Sequence, residues 1–370
     1  MKKIITTTFH NANNYGAVLQ AYALQQTLLK KYNTEILDYY NPLIANNNRL
    51  FKKYQGTKKE KITQIVLDTI FFYKNIVRNR HFNQFRNNFL ITSKRFRDAN
   101  SVTSGYPKAD AYITGSDQIW NPILTDGIDQ VYTLNFGNHD FRKIAYAASA
   151  GENSTLSTYR NKLLQSLQTF DSISVREKPL YTLLKQELKQ PITITLDPSL
   201  LLTKTEWEHI GNSAPIKEQE KYILVYSVGG EPALLYQIAN RLSRQTGYRI
   251  LHPKRRDLKH CFVKNNKSYY TYGPEDFINL VANAEYIITT SFHGTAFATI
   301  FNKKFFVVLA KYSDRITTLL NSLNISNRIV SSEQEFDNAL KEQIDWKKVN
   351  QLIQKKRTES IDWIYNAIEK

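Results

Sequence analysis

The chain of 370 residues is 42% apolar and 12% aromatic, which is enough for two domains with buried cores. Its single cysteine, Cys261, excludes an intrachain disulfide and a cysteine-based structural zinc site. The N-terminus has no apolar stretch of signal-peptide length, and no apolar run approaches the roughly 20 residues that span a bilayer. We therefore expect a cytoplasmic protein, which can still lie peripherally at the inner face of the membrane.

The formal net charge of +17 favours an acidic substrate, a polyanion or an anionic membrane as partner. The excess is concentrated between Arg49 and Arg97, where 13 basic residues face two acidic ones, Glu60 and Asp68. The simplest explanation is a solvated helical face. No helix-turn-helix, RNA-recognition or zinc-finger pattern accompanies the charge, so we do not expect nucleic acid as a partner.

Short β-rich apolar runs alternate with helical patterns along the chain, which predicts parallel sheets covered by helices. The predicted strands cover residues 3–8, 35–39, 111–114, 144–148, 172–175, 192–196, 222–227, 249–252, 286–289 and 305–309. The expected fold class is α/β, with two Rossmann-like domains that face each other across a cleft.

The domain boundary is predicted where a strand ends in Asp197-Pro198 and a polar stretch follows. The first domain then comprises residues 1–203 and the second residues 204–345. Residues 346–370 are predicted to form a helix that packs back across both domains. Residues 58–92 interrupt the alternation with one or two long amphipathic helices, which we interpret as an insertion in the first domain.

In open parallel sheets, ligands bind beyond the carboxyl ends of the strands, where loops lead into helix N-termini. The first such loop covers residues 13–25, in which Asn14, Tyr15 and Gly16 open a helix whose backbone N–H groups can hold an anion. Gly16 allows a ligand to approach the backbone closely. The spacing matches neither a dinucleotide fingerprint nor a P-loop, and ordinary capping by Asn14 explains it equally well.

The second loop, GSDQIWNP, runs from Gly115 to Pro122 directly after a predicted strand. Its serine, acid and amides are costly in a core but suit a ligand rich in hydroxyl groups. Asp117 can accept a proton from a sugar hydroxyl. The alternative is a structural turn in which Trp120 serves as a packing anchor.

The third loop covers residues 172–178, where Arg176 emerges from an apolar strand. A guanidinium there can clamp a carboxylate or phosphate with two parallel hydrogen bonds. An interdomain salt bridge is the alternative. The fourth loop, TTSFHGT at residues 289–295, precedes a helix predicted over residues 295–301. It places the His293 imidazole, the Ser291 hydroxyl and backbone donors around one point, which suits a phosphate.

Seven segments together carry a family resemblance. They are, in order between residues 5 and 310, NNYGAVLQAYALQ, GSDQIWNP, KIAYAASAG, SISVREK, LDPSLL, YILVYSVGG and TTSFHGT. In this order the chain resembles the bacterial polysaccharide pyruvyl transferases. The resemblance implies a glycosyltransferase-B-like architecture with the site in the cleft, and transfer of pyruvate from phosphoenolpyruvate to a cell-surface polysaccharide or its precursor.

The same resemblance implies roles for individual residues. Arg176 matches the arginine assigned to donor binding, and His293 matches the histidine of the signature. Some members have an arginine where this chain has Ser291, so part of the donor's charge must be met elsewhere. The candidates for that charge are Lys254, Arg255 and Arg256.

The expected chemistry needs an acid, a base and fixed positive charge. No cofactor is expected, with phosphoenolpyruvate as the donor substrate. No metal is expected either, because the seven histidines are scattered without a metal-ligand spacing. We assign proton transfer near the phosphate to His293, the sugar hydroxyl to Asp117 and the donor carboxylate to Arg176. The further donor-side candidates are Ser291, Gly294 and Thr295 in the second domain. The acceptor-side candidates in the first domain are Asn14, Tyr15, Gly16, Ser116, Gln118, Trp120 and Asn121.

Three alternatives stay open at this point. One is a nucleotide-sugar glycosyltransferase of the same architecture, and another is a non-catalytic glycan-binding scaffold. The third concerns the partners. The acceptor can be a lipid-linked oligosaccharide, and the insertion can either dock on an anionic membrane or pack its aromatic side chains on the first domain. The insertion mixes aromatic and basic side chains, namely Phe71, Phe72, Tyr73, Phe82, Phe85 and Phe89 with Lys74, Arg78, Arg80 and Arg86.

Overall fold

A computed structural model describes residues 1–45, 57–138, 140–151, 156–228, 230–254, 266–309 and 313–370. The chain divides into two compact units. Unit 1 comprises Met1–Gln55, Arg86–Leu201 and Gln354–Lys370, and unit 2 comprises Gly56–Phe85 and Leu202–Ile353.

The described residues of each unit form a parallel β-sheet. The strands of unit 1 are β1 (Lys3–Thr7), β2 (Asn33–Ile36), β3 (Ala111–Thr114), β4 (Arg142–Ala148), β5 (Ser172–Val175) and β6 (Ile192–Ile194). The strands of unit 2 are β7 (Tyr222–Tyr226), β8 (Arg249–His252), β9 (Asn266–Ser268), β10 (Tyr286–Thr289) and β11 (Lys304–Val307). Neighbouring strands pair in parallel in both sheets.

Helices connect most of the strands. Those up to residue 187 are α1 (Tyr15–Leu29), α2 (Lys58–Ile70), α3 (Phe72–Phe89), α4 (Ala99–Gly105), α5 (Pro122–Thr125), α6 (Arg160–Leu167) and α7 (Lys178–Glu187). The later helices are α8 (Lys204–Asn212), α9 (Ala233–Thr246), α10 (Pro274–Asn283), α11 (Phe292–Ile300), α12 (Asp314–Ser322), α13 (Glu333–Lys341) and α14 (Trp346–Glu369). Both units are therefore α/β, as predicted.

The strand order of each sheet defines where its ligand loops lie. The order is β2-β1-β3-β4-β5-β6 in unit 1 and β11-β10-β7-β8-β9 in unit 2. The direction of winding reverses between β1 and β3 in unit 1, and between β7 and β10 in unit 2. Doubly wound sheets bind ligands beyond the carboxyl ends of the strands at this switch point. The loops that follow these four strands are therefore the first place to look for a site.

The strands are buried because apolar side chains occupy both of their faces, which is typical of parallel sheets. In unit 1, Tyr112 on β3 packs against Phe141 at 4.4 Å between ring centroids, and against Phe136 at 5.3 Å. In unit 2, the fully buried Trp207 on α8 meets Phe297 on α11 edge to face at 5.0 Å. Each sheet thus has its own aromatic-rich core.

All ten predicted strands are present, and four of them have the predicted bounds. The strand predicted over residues 35–39 lies instead at residues 33–36, because its parallel ladder with β1 runs from Asn33 to Ile36. The short polar strand β9 was not predicted, since it carries no apolar run. Helix α11 begins at Phe292 rather than at residue 295, because the Ser291 side chain caps it by accepting a hydrogen bond from Gly294 N.

The predicted insertion over residues 58–92 forms two helices, α2 and α3. Its residues up to Phe85 group with unit 2, and those from Arg86 onward group with unit 1. The physical reason is a set of contacts with a segment about 190 residues further along the chain. Arg78 Nη1 donates to the Tyr270 carbonyl at 2.7 Å, and the Tyr270 hydroxyl donates to Asn75 Oδ1 at 2.9 Å. The sequence analysis placed this segment entirely in the first domain.

The C-terminal helix α14 begins at the predicted residue, and its second half belongs to unit 1. Ser360 Oγ accepts a hydrogen bond from Leu196 N at 3.0 Å, and Arg357 Nε donates to the Leu200 carbonyl at 2.8 Å. Ile364 and Ile368 are fully buried. The end of the chain is thus part of the packing that stabilises unit 1.

A cluster of charged and polar side chains around Asp38 fixes the loop that follows β1. Asp38 accepts hydrogen bonds from Asn11 Nδ2 at 2.9 Å and Arg95 Nε at 2.9 Å, and its Oδ1 lies 3.3 Å from His10 Nε2. His10 Nδ1 lies 3.2 Å from the Thr8 carbonyl, so both ends of the buried ring are held. Burial alone would raise the pKa of Asp38, but hydrogen bonds from His10, Asn11 and Arg95 hold it well below its usual range.

We predict that Ile364→Ala lowers the free energy of unfolding by about 2–5 kcal/mol, because it leaves a cavity in a packed core. The exposed neighbour Asn366 provides the control, and Asn366→Ala should change stability by no more than about 0.5 kcal/mol. Chemical denaturation measures both values. Equal effects of the two substitutions would show that the second half of α14 does not stabilise unit 1.

We also predict an acid-dependent contribution from Asp38. Because its folded-state pKa lies below the unfolded value of about 3.9, Asp38 stabilises the protein above that pH and loses the effect as pH falls through the folded-state pKa. Asp38→Asn should therefore lower the unfolding free energy by about 1–3 kcal/mol at pH 7. The gap to the wild type should narrow below about pH 4. A gap that stays constant from pH 7 to pH 3 would contradict this, and the exposed Asp362→Asn is the control.

Candidate functional site

The two switch-point loops of unit 1 are joined by a buried hydrogen-bond network. Gln20 on α1 donates from Nε2 to Thr8 Oγ1 at 2.8 Å, and Thr8 Oγ1 donates to the Ser116 carbonyl at 3.1 Å. Ser116 N in turn donates to Gln20 Oε1 at 3.1 Å. One glutamine side chain therefore links the loop after β1 to the loop after β3. Sequence analysis did not single out Gln20, although it lies in the first motif.

The loop after β3 makes a tight turn that only glycine can start. Gly115 has φ +122°, and a Cβ at this position would lie 2.1 Å from the Tyr146 carbonyl oxygen. Asp117 has a left-handed φ of 68°, which aspartate tolerates better than most residues. Its carboxylate accepts a hydrogen bond from Gln118 N at 2.9 Å, and 14% of its side chain is exposed. The turn thus presents an accessible carboxylate at the edge of the sheet.

Arg176 lies at the carboxyl end of β5, and its guanidinium contacts two carboxylates of unit 1. Nη1 donates to Asp197 Oδ2 at 2.5 Å, and Nη2 lies 3.8 Å from Asp117 Oδ1. Ser116 Oγ also lies 3.2 Å from Asp197 Oδ2. The structure therefore brings three predicted site residues together, namely Ser116, Asp117 and Arg176. Both carboxylates belong to the same unit as Arg176, so these contacts are not the interdomain salt bridge weighed as an alternative.

Asp197 is the member of this group that the sequence analysis missed. It is 1% exposed and also accepts hydrogen bonds from Ser199 N at 2.9 Å and Ser199 Oγ at 2.7 Å. The sequence feature that could have marked Asp197 as a site residue is its position in the LDPSLL segment. An aspartate before proline usually indicates a turn, and its second role as the partner of Arg176 depends on a contact 21 residues apart.

The predicted acceptor-side residues fall into two groups. Asn14 caps α1 by accepting a hydrogen bond from Ala17 N at 3.2 Å, and Tyr15 and Gly16 are buried in the first turn. Asn121 caps α5 and donates from Nδ2 to Gln118 Oε1 at 2.8 Å. Asn14 and Asn121 thus fix the starts of α1 and α5.

Trp120 has a different environment from its neighbours in the second loop. Its side chain is 1% exposed, belongs to the core of unit 1, and donates from Nε1 to the Tyr132 carbonyl at 3.2 Å. This matches the packing alternative rather than the cleft-lining role that we gave it, because a buried and bonded indole offers no surface to a ligand.

In unit 2, His293 occupies the first turn of α11, at the switch point after β10. Its side chain is largely buried, and Thr295 anchors the same turn by donating from Oγ1 to the Ser291 carbonyl at 3.0 Å. Gly294 is required for packing, because a Cβ there would lie 2.3 Å from Thr289 Oγ1. Because α11 packs this closely on β10, the first turn of α11 is held in place. His293 therefore lies at the positive end of the helix dipole, where anions are stabilised.

The predicted basic residues after β8 are only partly placed. Lys254 forms an ion pair with Glu231 and lies 5.3 Å from the Tyr236 ring. Glu231 therefore balances the charge of Lys254. Arg255 and Arg256 lie outside the described residues.

Metal sites and membrane-spanning helices are two further features that bear on function. Within the described parts of the chain, no three His, Cys, Asp or Glu side chains are grouped so that they could hold a metal ion. None of the described helices has the length and apolar character needed to span a bilayer.

Solved structures similar to this chain include UDP-N-acetylglucosamine 2-epimerases. The enzyme of Rickettsia bellii is 11% identical with a TM-score of 0.54, covering 100% of this chain and 97% of that one. The Neisseria meningitidis enzyme bound to UDP-GlcNAc is 10% identical with a TM-score of 0.53, covering 99% of each chain. The S. aureus MnaA–UDP co-structure is 12% identical with a TM-score of 0.52, covering 95% of this chain and 91% of that one.

These likenesses concern the fold, and they confirm the predicted α/β class with two parallel sheets of the glycosyltransferase-B-like kind. No curated protein matches the chain. The family model for polysaccharide pyruvyl transferase matches residues 14–311, a range that includes the loops of Asp117, Arg176 and His293. The chain therefore belongs to the polysaccharide pyruvyl transferase family and is a transferase.

Proposed function

We propose that this transferase moves pyruvate from phosphoenolpyruvate to two hydroxyl groups of a sugar, forming a cyclic ketal and releasing phosphate. The observation that carries the proposal is the family match over residues 14–311. The buried arginine at the edge of one sheet and the histidine at a helix N-terminus in the other support it, because the donor carries a carboxylate and a phosphate.

The reaction adds one proton to the methylene carbon of phosphoenolpyruvate, which becomes a methyl group. The adjacent carbon then carries positive charge, and the oxygen of the first hydroxyl bonds to it and loses its proton. The bond from this carbon to the phosphate oxygen breaks, and phosphate leaves with the bonding electron pair. The second hydroxyl oxygen closes the ketal and loses its proton. Acid, base and positive charge are all needed.

Arg176 is proposed to bind the donor carboxylate. Asp197 holds its Nη1 on one side, and this fixes the plane of the guanidinium at the edge of the sheet. A fixed planar group with several donors recognises a carboxylate better than a mobile ammonium does. Asp117, whose carboxylate lies 3.8 Å from the same guanidinium, is proposed to accept the proton of a sugar hydroxyl.

His293 is proposed to transfer a proton near the phosphate. The N-terminus of α11 favours an anion at this point, and the imidazole lies in the first turn of that helix. Ser291, Gly294 and Thr295 build the turn and are proposed to line the phosphate side of the donor. We further propose a cytoplasmic location and an acceptor that can be lipid-linked.

Incubation of the purified protein with phosphoenolpyruvate and a panel of free, aryl and lipid-linked sugars tests the proposal. The expected result is release of phosphate together with a gain of one pyruvate unit in the mass of one acceptor. The solved Neisseria meningitidis enzyme binds UDP-GlcNAc, so a nucleotide sugar is the alternative donor. Calorimetric titration with phosphoenolpyruvate and with uridine and guanosine sugars separates the two. Binding of a nucleotide sugar alone would refute the proposal.

His293→Ala should lower the rate of pyruvyl transfer by about 10²- to 10⁴-fold, which is typical for loss of a proton-transfer group. The free energy of unfolding should change much less, and phosphate release measures the rate. His209→Ala, at an exposed position on α8, is the matched control and should keep full activity. Near-normal turnover by the His293 variant would leave this residue with a structural role only.

Arg176→Lys keeps the positive charge beside Asp197 but removes the planar group. We expect KM for phosphoenolpyruvate to rise at least about tenfold, because an ammonium cannot match a carboxylate with two parallel bonds. Steady-state kinetics and chemical denaturation are measured on the same variant. A large loss of stability with unchanged KM would mean that Arg176 serves the ion pair with Asp197 and not the donor.

A further inference from the structure

Exposed apolar side chains are concentrated on α2 and the start of α3. Of the 14 large apolar side chains that are exposed among the described residues, seven lie between residues 62 and 76. Their exposed fractions range from 38% to 76%. Contiguous exposed apolar groups of this kind usually mark an interaction surface. We call these seven residues the hairpin face: Ile62, Ile65, Val66, Ile70, Phe72, Tyr73 and Ile76.

The spacing of the hairpin face places most of it on one side of the helices. Ile62, Ile65, Val66 and Ile70 follow one another at intervals of three, one and four residues on α2. These intervals bring side chains to the same side of an α-helix. Tyr73, three residues after Ile70, extends the series into α3.

The opposite side of α3 contacts the segment of unit 2 around Tyr270. Asn75 and Arg78 bond to Tyr270, and His81 Nδ1 lies 2.7 Å from the Thr271 carbonyl. Asp68 on α2 is also buried. The hairpin face is therefore not the side of the helices that packs on their own unit.

The structure corrects which residues of the insertion are available to a partner. Phe82 and Phe85, which the sequence analysis included in a docking surface, are fully buried. Arg86 donates from Nη2 to Asn13 Oδ1 at 2.9 Å, and burial lowers its pKa to about 10. The exposed apolar groups lie instead mainly on the preceding helix, where sequence analysis named no aromatic residue.

The charge around the hairpin face is positive. Lys58, Lys59 and Lys61 are exposed in the first turns of α2, and Arg80 is exposed on α3. The exposed acid of α2, Glu60, accepts hydrogen bonds from Thr57 N and Oγ1 as part of the helix cap.

We infer that the hairpin face docks peripherally on an anionic lipid bilayer, with its apolar side chains at the lipid boundary and its lysines among the headgroups. Charge complementarity selects this occupant. A second copy of the chain would bring two lysine-rich faces together, which is unfavourable, whereas anionic headgroups attract them. Apolar burial and lysine attraction together are the two contributions by which amphipathic helices bind at membrane interfaces.

Flotation with lipid vesicles tests the inference. The probes are vesicles of phosphatidylcholine with phosphatidylglycerol and vesicles of phosphatidylcholine alone, in low salt and in about 1 M salt, where charges are screened beyond about 3 Å. The wild type should float with the anionic vesicles in low salt. Two triple variants, Ile62→Ser with Ile65→Ser and Ile70→Ser, and Lys58→Gln with Lys59→Gln and Lys61→Gln, should each bind at least about tenfold more weakly.

Each variant has a matched control at exposed positions elsewhere. Leu43→Ser with Ile91→Ser and Ile123→Ser removes three exposed apolar side chains, and Lys347→Gln with Lys348→Gln and Lys355→Gln removes three charges. Both controls should bind within about twofold of the wild type, since none of these positions belongs to the hairpin face or to the lysines at the start of α2. Circular dichroism and denaturation check that all four variants fold.

Three results would overturn the inference. The first is absence of wild-type binding to anionic vesicles. The second is equal weakening by the hairpin and control variants, which would show attraction by net charge without a defined face. The third is unchanged vesicle binding by the apolar variant together with loss of a dimer in analytical ultracentrifugation, which would assign the face to a second copy of the chain.

Discussion

The ion pair between Arg176 and Asp197 is the interaction on which the geometry of unit 1 depends most. Both side chains are nearly inaccessible, so each would be strongly destabilising without the other. Ser199 and Ser116 share the remaining hydrogen-bonding capacity of the aspartate. The pair thereby ties the end of β5 to the loop after β3 and to the turn after β6. Loss of either side chain would leave the other as an unpaired buried charge, which would disturb all three of these segments.

Both units fix their loops by buried polar contacts rather than by exposed side chains. In unit 1, Gln20 spans two loops through Thr8 and Ser116. In unit 2, Thr289 Oγ1 donates to the Tyr226 carbonyl at 2.6 Å and accepts from Ser291 N at 3.0 Å. Such satisfied buried networks are rigid, and rigid loops preserve the placement of a reactive group. This is why the motifs contain several threonine, serine and glutamine residues whose side chains bond to backbone groups and to one another.

The sequence predicted the strands well, because fully buried parallel strands appear as short apolar runs between turn residues. Ser116, Asp117 and Arg176 were selected because polar residues directly after such runs lie beyond the carboxyl ends of the strands. The structure places them close together, and their role in binding stays a prediction. The sequence analysis missed Asp197 as the partner of Arg176, because that contact depends on tertiary proximity. The environment of Trp120 was ambiguous for the same reason. The grouping of Gly56–Phe85 with unit 2 rests on contacts between α3 and Tyr270, far along the chain.

In α2 and α3, the exposed apolar residues of the hairpin face are different from the residues that hold the helices in unit 2. The side chains of the hairpin face are between 38% and 76% exposed, so they contribute less of the apolar burial that stabilises a fold than core residues do. The anchoring contacts of the same helices come from different residues, among them Asn75 and Arg78. Exposed apolar groups in such density carry a cost in solubility without a gain in folding. A partner that covers them removes that cost, and an anionic bilayer also satisfies the neighbouring lysines.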